Sequence, residues 1–145
     1  MGVRGAGAAV SDAIDYAAII RDYEETPFHI WMGLKVTRAD AGGVEVTIPW
    51  RDEFYAQKRR AYMHGGVLAS VVDLVADLAI AAKIGRALPT IDLRTDYHKA
   101  NAGAAMRATG DVIKAGRTIV TAEAHVFDMA GNLLASGRGA YLNAR

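Results

Sequence analysis

The sequence contains no cysteine, which excludes disulfides, thiolate nucleophiles and cysteine-ligated metal sites. It has no charge of one sign to spare. Lys and Arg number 17 against 16 Asp and Glu, so nothing in the balance draws the chain toward nucleic acid or an anionic membrane. The four histidines never fall at a metal-ligand spacing such as His-x-x-x-His, and no Gly-x-Ser-x-Gly elbow is present to activate a serine. There is no internal repeat, linker or low-complexity segment beyond the Gly/Ala-rich residues 1–10, which are expected to be flexible. Asp12 and Asp15 interrupt the N-terminal stretch before a long apolar core forms, which makes it a poor signal peptide. Residues 61–82 come nearest to a membrane span, yet two central aspartates argue against lipid. At 145 residues, 52% of them apolar, the chain has room for one domain with a proper core, over residues 11–145. A soluble cytoplasmic protein is the expectation.

What is present concentrates in one segment. Residues 61–84 read AYMHGGVLASVVDLVADLAIAAKI, a helical run of apolar residues entered through His64-Gly65-Gly66 and holding Asp73 and Asp77 four residues apart. Burying a lone carboxylate is costly unless it is paired or changes its protonation, and no Lys or Arg lies three or four residues from either Asp. Desolvation and a second carboxylate one turn away raise the pKa of an acid in such a helix, which turns a poor base into a useful one near neutral pH. Perturbed acids cluster at functional sites, and Asp73 is read that way.

Around this helix the pattern is mostly extended. Ser11-Asp12 can cap a helix through about Glu25, with Ile14, Ala17, Ala18 and Arg21 at helical spacing, until Pro27 stops it. Two strands are expected from His29 to Val36 and from Val44 to Pro49, joined at Ala41-Gly42-Gly43. Val44, Val46 and Ile48 share one face. A polar loop over 50–63 precedes the long helix, and Gly85 is placed to end it. After Pro89 the period becomes two, with Ile91, Leu93, Thr95 and Tyr97 on one face and Thr90, Asp92, Arg94 and Asp96 on the other. Three more strands follow at roughly 104–113, 117–127 and 132–142, with turn chemistry at 114–117 and 128–132. One helix too apolar to face water, followed by an antiparallel meander, implies an α+β fold in which a curved sheet wraps that helix.

His64-Gly65-Gly66 with Asp73, then Thr90-Ile91-Asp92-Leu93-Arg94 and Tyr97, resembles the hotdog-fold acyl-CoA thioesterases of the phenylacetate-degradation (PaaI-type) group over roughly residues 28–142. The resemblance implies that Asp73 is the general base or nucleophile and that the Gly65 N–H polarises the thioester carbonyl. It further implies that an amide in the preceding loop, Gln57 here, positions water or substrate. The chain departs from the family in three places. Gln57-Lys58-Arg59-Arg60 stands where Asn and a Gly are usual. His98-Lys99-Ala100-Asn101 follows Tyr97 where a Pro is usual. Asp77 takes a position that would otherwise hold a small or hydroxyl residue. Helix N-termini offer free N–H groups and the positive dipole end, and Gly lets a substrate approach the backbone, so the Gly65-Gly66 entry suits an oxyanion.

Other residues carry two readings. His64 is a catalyst or a hydrogen-bonded helix-entry residue, and Gly66 binds substrate or only permits a tight entry. Asp77 is a second site acid or a solvated interface group. Thr90 can offer its hydroxyl to the base or water. Asp92 and Arg94 share a face and are read as a structural pair. Arg59, Arg60, Arg117 and Arg138 are candidates for the phosphates of coenzyme A, since guanidinium suits phosphate. Trp31, Trp50, Tyr55, Tyr62 and Met63 line an aromatic-acyl pocket or pack the core. The expected partner is an acyl-CoA substrate, with coenzyme A entering only as part of it and no metal or other cofactor. Two further functions stay open, a hydratase or dehydratase of enoyl thioesters and a non-catalytic acyl-CoA binding or sensing domain. An open sheet around one helix leaves edge strands to be covered, so a homodimer or homotetramer is expected. The resemblance implies antiparallel long helices across a two-fold axis, with Asp73 of one subunit working with Gly65 of the other.

Overall fold

The computed structural model describes residues 13–144; the expected loose segment at 1–10 and the Ser11-Asp12 cap lie outside them. Helix α1, Tyr16–Glu25, is capped by Asp15, whose carboxylate accepts the Ala18 N–H at 3.0 Å. It buries Ile19 and Tyr23, one turn apart; of the four residues expected at helical spacing, Ile14 and Ala18 are half-buried and Ala17 and Arg21 are exposed. Pro27 does stop α1, but it also opens a second helix, α2, Pro27–Met32, where a strand from His29 was expected. Pro suits a first helical position, where its missing N–H is not needed, and Gly33 closes the helix in the left-handed region at φ 73°. The first strand therefore begins later.

Strands β1, Lys35–Asp40, and β2, Gly43–Ile48, form the expected hairpin, with Val44, Val46 and Ile48 all buried. A short 3-10 turn at Asp52–Phe54 interrupts the loop that leads to α3, Gly65–Ile84. Gly85 ends α3 as anticipated, its N–H donating to Ala81 O at 2.8 Å. Strands β3, Thr90–Tyr97; β4, Met106–Ala115; β5, Ile119–Asp128; and β6, Leu133–Leu142, complete one antiparallel sheet in the order β1-β2-β4-β5-β6-β3. The edges are β1 and β3.

The sheet lays an apolar face against α3. Val120, Ala122, Ala124 and Val126 on β5 are fully buried, as are Val71, Val72, Val75, Ala76, Leu78 and Ile80 on the helix. Each such Val, Leu or Ile contributes about 1.5–3 kcal/mol by leaving water. The approach is close at Gly110, where a Cβ would lie 2.6 Å from Val75 O, so the helix rests on bare backbone there. No helix among the described residues is long and apolar enough to cross a membrane.

Strand β3 departs from strict alternation. A register shift between Thr90 and Asp92 against β6 turns Thr90 toward α3, on the same side as half-buried Leu93 and Thr95, and leaves Ile91 54% exposed. The two faces expected for this strand are therefore exchanged at its first two residues. The expected Asp92–Arg94 pair is replaced by Arg94 with Asp96, at 3.2 Å.

Candidate active site

The entry to α3 is built from both sides of the chain. His64 N–H donates to Phe54 O, and Met63 N–H donates to Asn101 O, each at 2.8 Å. Asn101 is itself buried, its side chain donating to Ala104 O and accepting from the Gly103 and Ala104 N–H groups. The loop after β3 thereby holds the residue before His64-Gly65-Gly66 in place. His64 is the N-cap, with Nδ1 accepting the Gly66 N–H at 2.8 Å. That contact engages one of the two glycine donors. The Gly65 N–H has no protein acceptor among the described residues, and the Tyr97 hydroxyl donates to Gly65 O at 3.0 Å, which ties the following peptide to β3. A cavity of about 360 Å³ opens here, lined by Tyr62, Gly65, Leu68, Tyr97 and His98 among others.

Asp73 sits eight residues further along, about 12 Å up the helix axis. Its Oδ1 accepts from the Thr90 hydroxyl at 2.9 Å and from the Tyr141 hydroxyl at 3.0 Å. The bulge at the start of β3 is what aims Thr90 at it. Tyr141 is fully buried, and burial followed by the Asp73 carboxylate pushes its phenol far above the usual value, so it stays a donor. Oδ2 has no protein donor among the described residues. Asp73 lines a second cavity of about 230 Å³ with Tyr23, Phe28, His29, Ser70, Asp77 and Thr90 among its walls. The Ser70 hydroxyl donates back to Gly66 O at 2.8 Å, which leaves it a helix-bonded group rather than an activated nucleophile.

Asp77 is the more enclosed of the two acids. Its Oδ2 accepts from the Tyr23 hydroxyl at 2.6 Å and its Oδ1 from the Leu88 N–H at 2.9 Å. Burial raises its pKa, with the Asp73 charge adding to the shift and the two hydrogen bonds opposing it. The raised pKa expected for a carboxylate in this helix is thus found at Asp77. Tyr23 is pushed far above its normal value by burial and by Asp77.

The remaining candidates are spread out. Gln57 is exposed, and its amide donates to the Tyr62 hydroxyl at 2.8 Å, on the rim of the Gly65 cavity. Arg60 pairs with Asp52 at 3.0 Å and lies over the Tyr55 ring, so it braces its own loop. Arg59 is exposed in that loop. Arg117 lies in the β4–β5 turn, lining a cavity with Thr118 and Asn143, and Arg138 is on the outer sheet face opposite Glu123. The structure does not bring Arg59 and Arg117 together in one chain, because the first is near the start of α3 and the second beyond the β5–β6 end that abuts Pro89. Of the aromatics, Trp31 and Trp50 pack on Phe54 with centroids 5.6 and 5.9 Å apart and Tyr55 packs on Trp50 at 4.7 Å, while Tyr62 faces the cavity. Among the described residues no group of three or more His, Asp or Glu is close enough to hold a metal.

Sequence reasoning missed Tyr141 and Tyr23, the donors to the two acids. A signal for Tyr141 exists in β6, where Ala135, Gly137 and Gly139 precede it at alternate positions. A Cβ on Gly139 would come within 2.5 Å of the Tyr141 ring, so the small residue makes room for the phenol to reach Asp73.

A curved antiparallel sheet around one long helix, with an acid at mid-helix and a Gly-Gly entry, defines a hotdog protein of the thioesterase class. The thioesterase superfamily model matches residues 61–135, and this chain belongs to that family. A solved thioesterase-superfamily protein is 40% identical, covering 89% of this chain and 97% of its own with a TM-score of 0.84. A second, from Shewanella oneidensis and related to the thioesterase superfamily, is 30% identical over 91% of this chain and 100% of its own, with a TM-score of 0.78. The medium/long-chain acyl-CoA thioesterase YigI of Salmonella typhimurium is 24% identical, covering 80% of this chain and 84% of that protein. Thioester hydrolysis is the general chemistry of such relatives.

Proposed function

We propose that the protein hydrolyses acyl-CoA thioesters to a free acid and CoA-SH, with Asp73 as general base or nucleophile. The observation that carries this is the state of the Asp73 carboxylate. One oxygen is held by Thr90 and Tyr141, and the other is left to a cavity. As base, Oδ2 takes a proton from water while the water oxygen bonds to the carbonyl carbon. The C–S bond then breaks, and the proton passes to the leaving thiolate. The Gly65 N–H at the positive end of α3 receives the developing oxyanion, and the Gln57 amide at the cavity rim orients water or substrate. Use of His64 Nδ1 in the helix cap favours hydrolysis over hydration, which needs a histidine free to work beside the acid. The PaaI-type placement rests on the motif residues. Arg59 and Arg117, which lie apart in one chain, take the coenzyme A phosphates from different subunits, and the chemistry needs only water besides the chain.

The roughly 12 Å between Gly65 and Asp73 on one helix is bridged by dimerisation. Among the described residues strand β3 pairs only with β6, and both Thr90 and Tyr97 reach α3 from it, so a second copy meeting the free edge of β3 brings two active-site helices side by side. Each site then joins Asp73 of one subunit to the Gly65 N–H of the other, in a homodimer or a tetramer of two such pairs. A hydrolysis screen over short, medium, long and aryl acyl-CoA thioesters, read by free thiol release, tests the activity. No turnover of any of them would refute it. Co-refolding equal amounts of Asp73→Asn and Gly65→Pro, each first shown to fold and dimerise, tests the shared site. A shared site recovers about a quarter of wild-type activity, because half the dimers are mixed and each has one intact site. Sites within one chain recover none.

A further inference from the structure

Three side chains, Tyr23, His29 and Asp77, border two cavities at once. On one side is the space of about 230 Å³ that Asp73 lines; on the other is a space of about 350 Å³ bounded by α1, Ala81 and residues 85–87. The partition is bonded on every side. The Tyr23 hydroxyl donates to Asp77 at 2.6 Å, and the Leu88 N–H holds the other Asp77 oxygen. His29 Nδ1 is 2.7 Å from Tyr23 O, and its ring stacks on Tyr23 with centroids 5.5 Å apart and planes at 24°. Helices α1, α2 and α3 and the segment before β3 therefore converge on one pair, buried Tyr23 and half-buried Asp77.

We propose that the Tyr23–Asp77 pair is the end wall of the acyl pocket, restricting the enzyme to short aliphatic or compact aryl acyl groups and sealing the second cavity from substrate. This rests on the reading of Asp73 as the thioesterase centre. A carbonyl carbon within reach of Asp73 places the acyl group in the cavity that Asp73 lines, and Asp77 stands one helical turn further on, about 6 Å along the axis. The space in front of the wall, about 230 Å³, holds the equivalent of about eight waters at roughly 30 Å³ each. A longer chain must displace Tyr23 from Asp77, and each buried polar group left unpaired lowers kcat/KM by roughly tenfold.

The test is a series of saturated acyl-CoA thioesters from acetyl- to palmitoyl-CoA, with benzoyl-CoA, run on wild type, Tyr23→Ala and Asp77→Ala. The same series of non-hydrolysable S-alkyl-CoA thioethers is titrated by calorimetry. Wild type is expected to gain with each methylene up to a short limit and then to fall. In either variant the limit moves to longer chains, with each newly buried methylene raising kcat/KM about fourfold through KM. If Tyr23→Ala fails to fold, Asp77→Ala decides alone. A limit unmoved in the folded variants, or a wild-type profile that rises unbroken to palmitoyl, overturns the wall while leaving thioester hydrolysis standing. If wild type turns over nothing, the thioether titrations still decide. A binding limit that the variants move sustains the wall and refutes the hydrolase reading, and an unmoved limit refutes both.

Discussion

Two hydroxyls on one carboxylate oxygen make a quantitative forecast. Thr90→Val and Tyr141→Phe each delete one donor to Asp73 Oδ1 while keeping the shape of the side chain. A hydrogen bond to a charged acceptor contributes about 1.5–3 kcal/mol, and 1.36 kcal/mol is a decade in rate, so either substitution should lower kcat/KM by roughly 10- to 100-fold. The two effects should not add. With one donor gone the other still orients the carboxylate, whereas losing both frees it, so the double variant should fall below the product of the singles. Stability should separate them. Thr90 is exposed on an edge strand and its loss should cost well under about 1 kcal/mol, while the Tyr141 hydroxyl is buried and should cost about 1–3 kcal/mol. The assays are thiol release across the four proteins of the cycle and urea unfolding of each. If both single variants and the double variant retain wild-type kcat/KM, the orientation of Asp73 by these hydroxyls is wrong.

Other outcomes follow from the same geometry. Gly139→Ala should drive the Tyr141 ring off Asp73, because the added Cβ would lie 2.5 Å from it; stability should fall by about 1–3 kcal/mol with a parallel loss of activity, and unchanged urea midpoints and rates would contradict this. Burial raises the pKa of Asp77, so the native state holds its proton more tightly than the unfolded chain does. Stability should therefore drop as pH rises from the ordinary carboxylate range through the raised value, and Asp77→Asn should flatten that slope in unfolding curves across mild acid to neutral pH. A slope identical to wild type would count against it. Light scattering should give a dimer or larger at micromolar concentration, and a stable active monomer would reject the shared site.

The sequence was most legible where one local rule governed. The apolar run over 65–84 has no polar face to present to water, so it had to be a buried helix, and Gly85 is the residue type that a left-handed cap requires. Alternation of Val44, Val46 and Ile48 placed their strand and its face correctly. Errors arose where two rules competed. Phe28, Ile30 and Trp31 have strand-like chemistry, yet Pro27 and Gly33 frame a helix of six residues around them. The bulge at the start of β3 is a pairing event with β6, and nothing within residues 90–92 announces it. For the site, His64, Gly65, Gly66 and Asp73 could be read from one contiguous segment. Tyr23 and Tyr141 could not, because they lie 54 and 68 residues from the acids they contact and are brought there only by helix docking and strand order.

The central claim is that Asp73 supplies the basic oxygen for thioester hydrolysis, and the most direct measurement of it is the turnover of Asp73→Asn. Asn keeps the shape of the side chain, and its carbonyl can still accept from Thr90 and Tyr141, while basicity is removed. With the circular dichroism spectrum and oligomeric state of the wild type retained, kcat for acyl-CoA hydrolysis should fall roughly 10²-fold or more. Near-normal turnover by the folded variant would contradict the account.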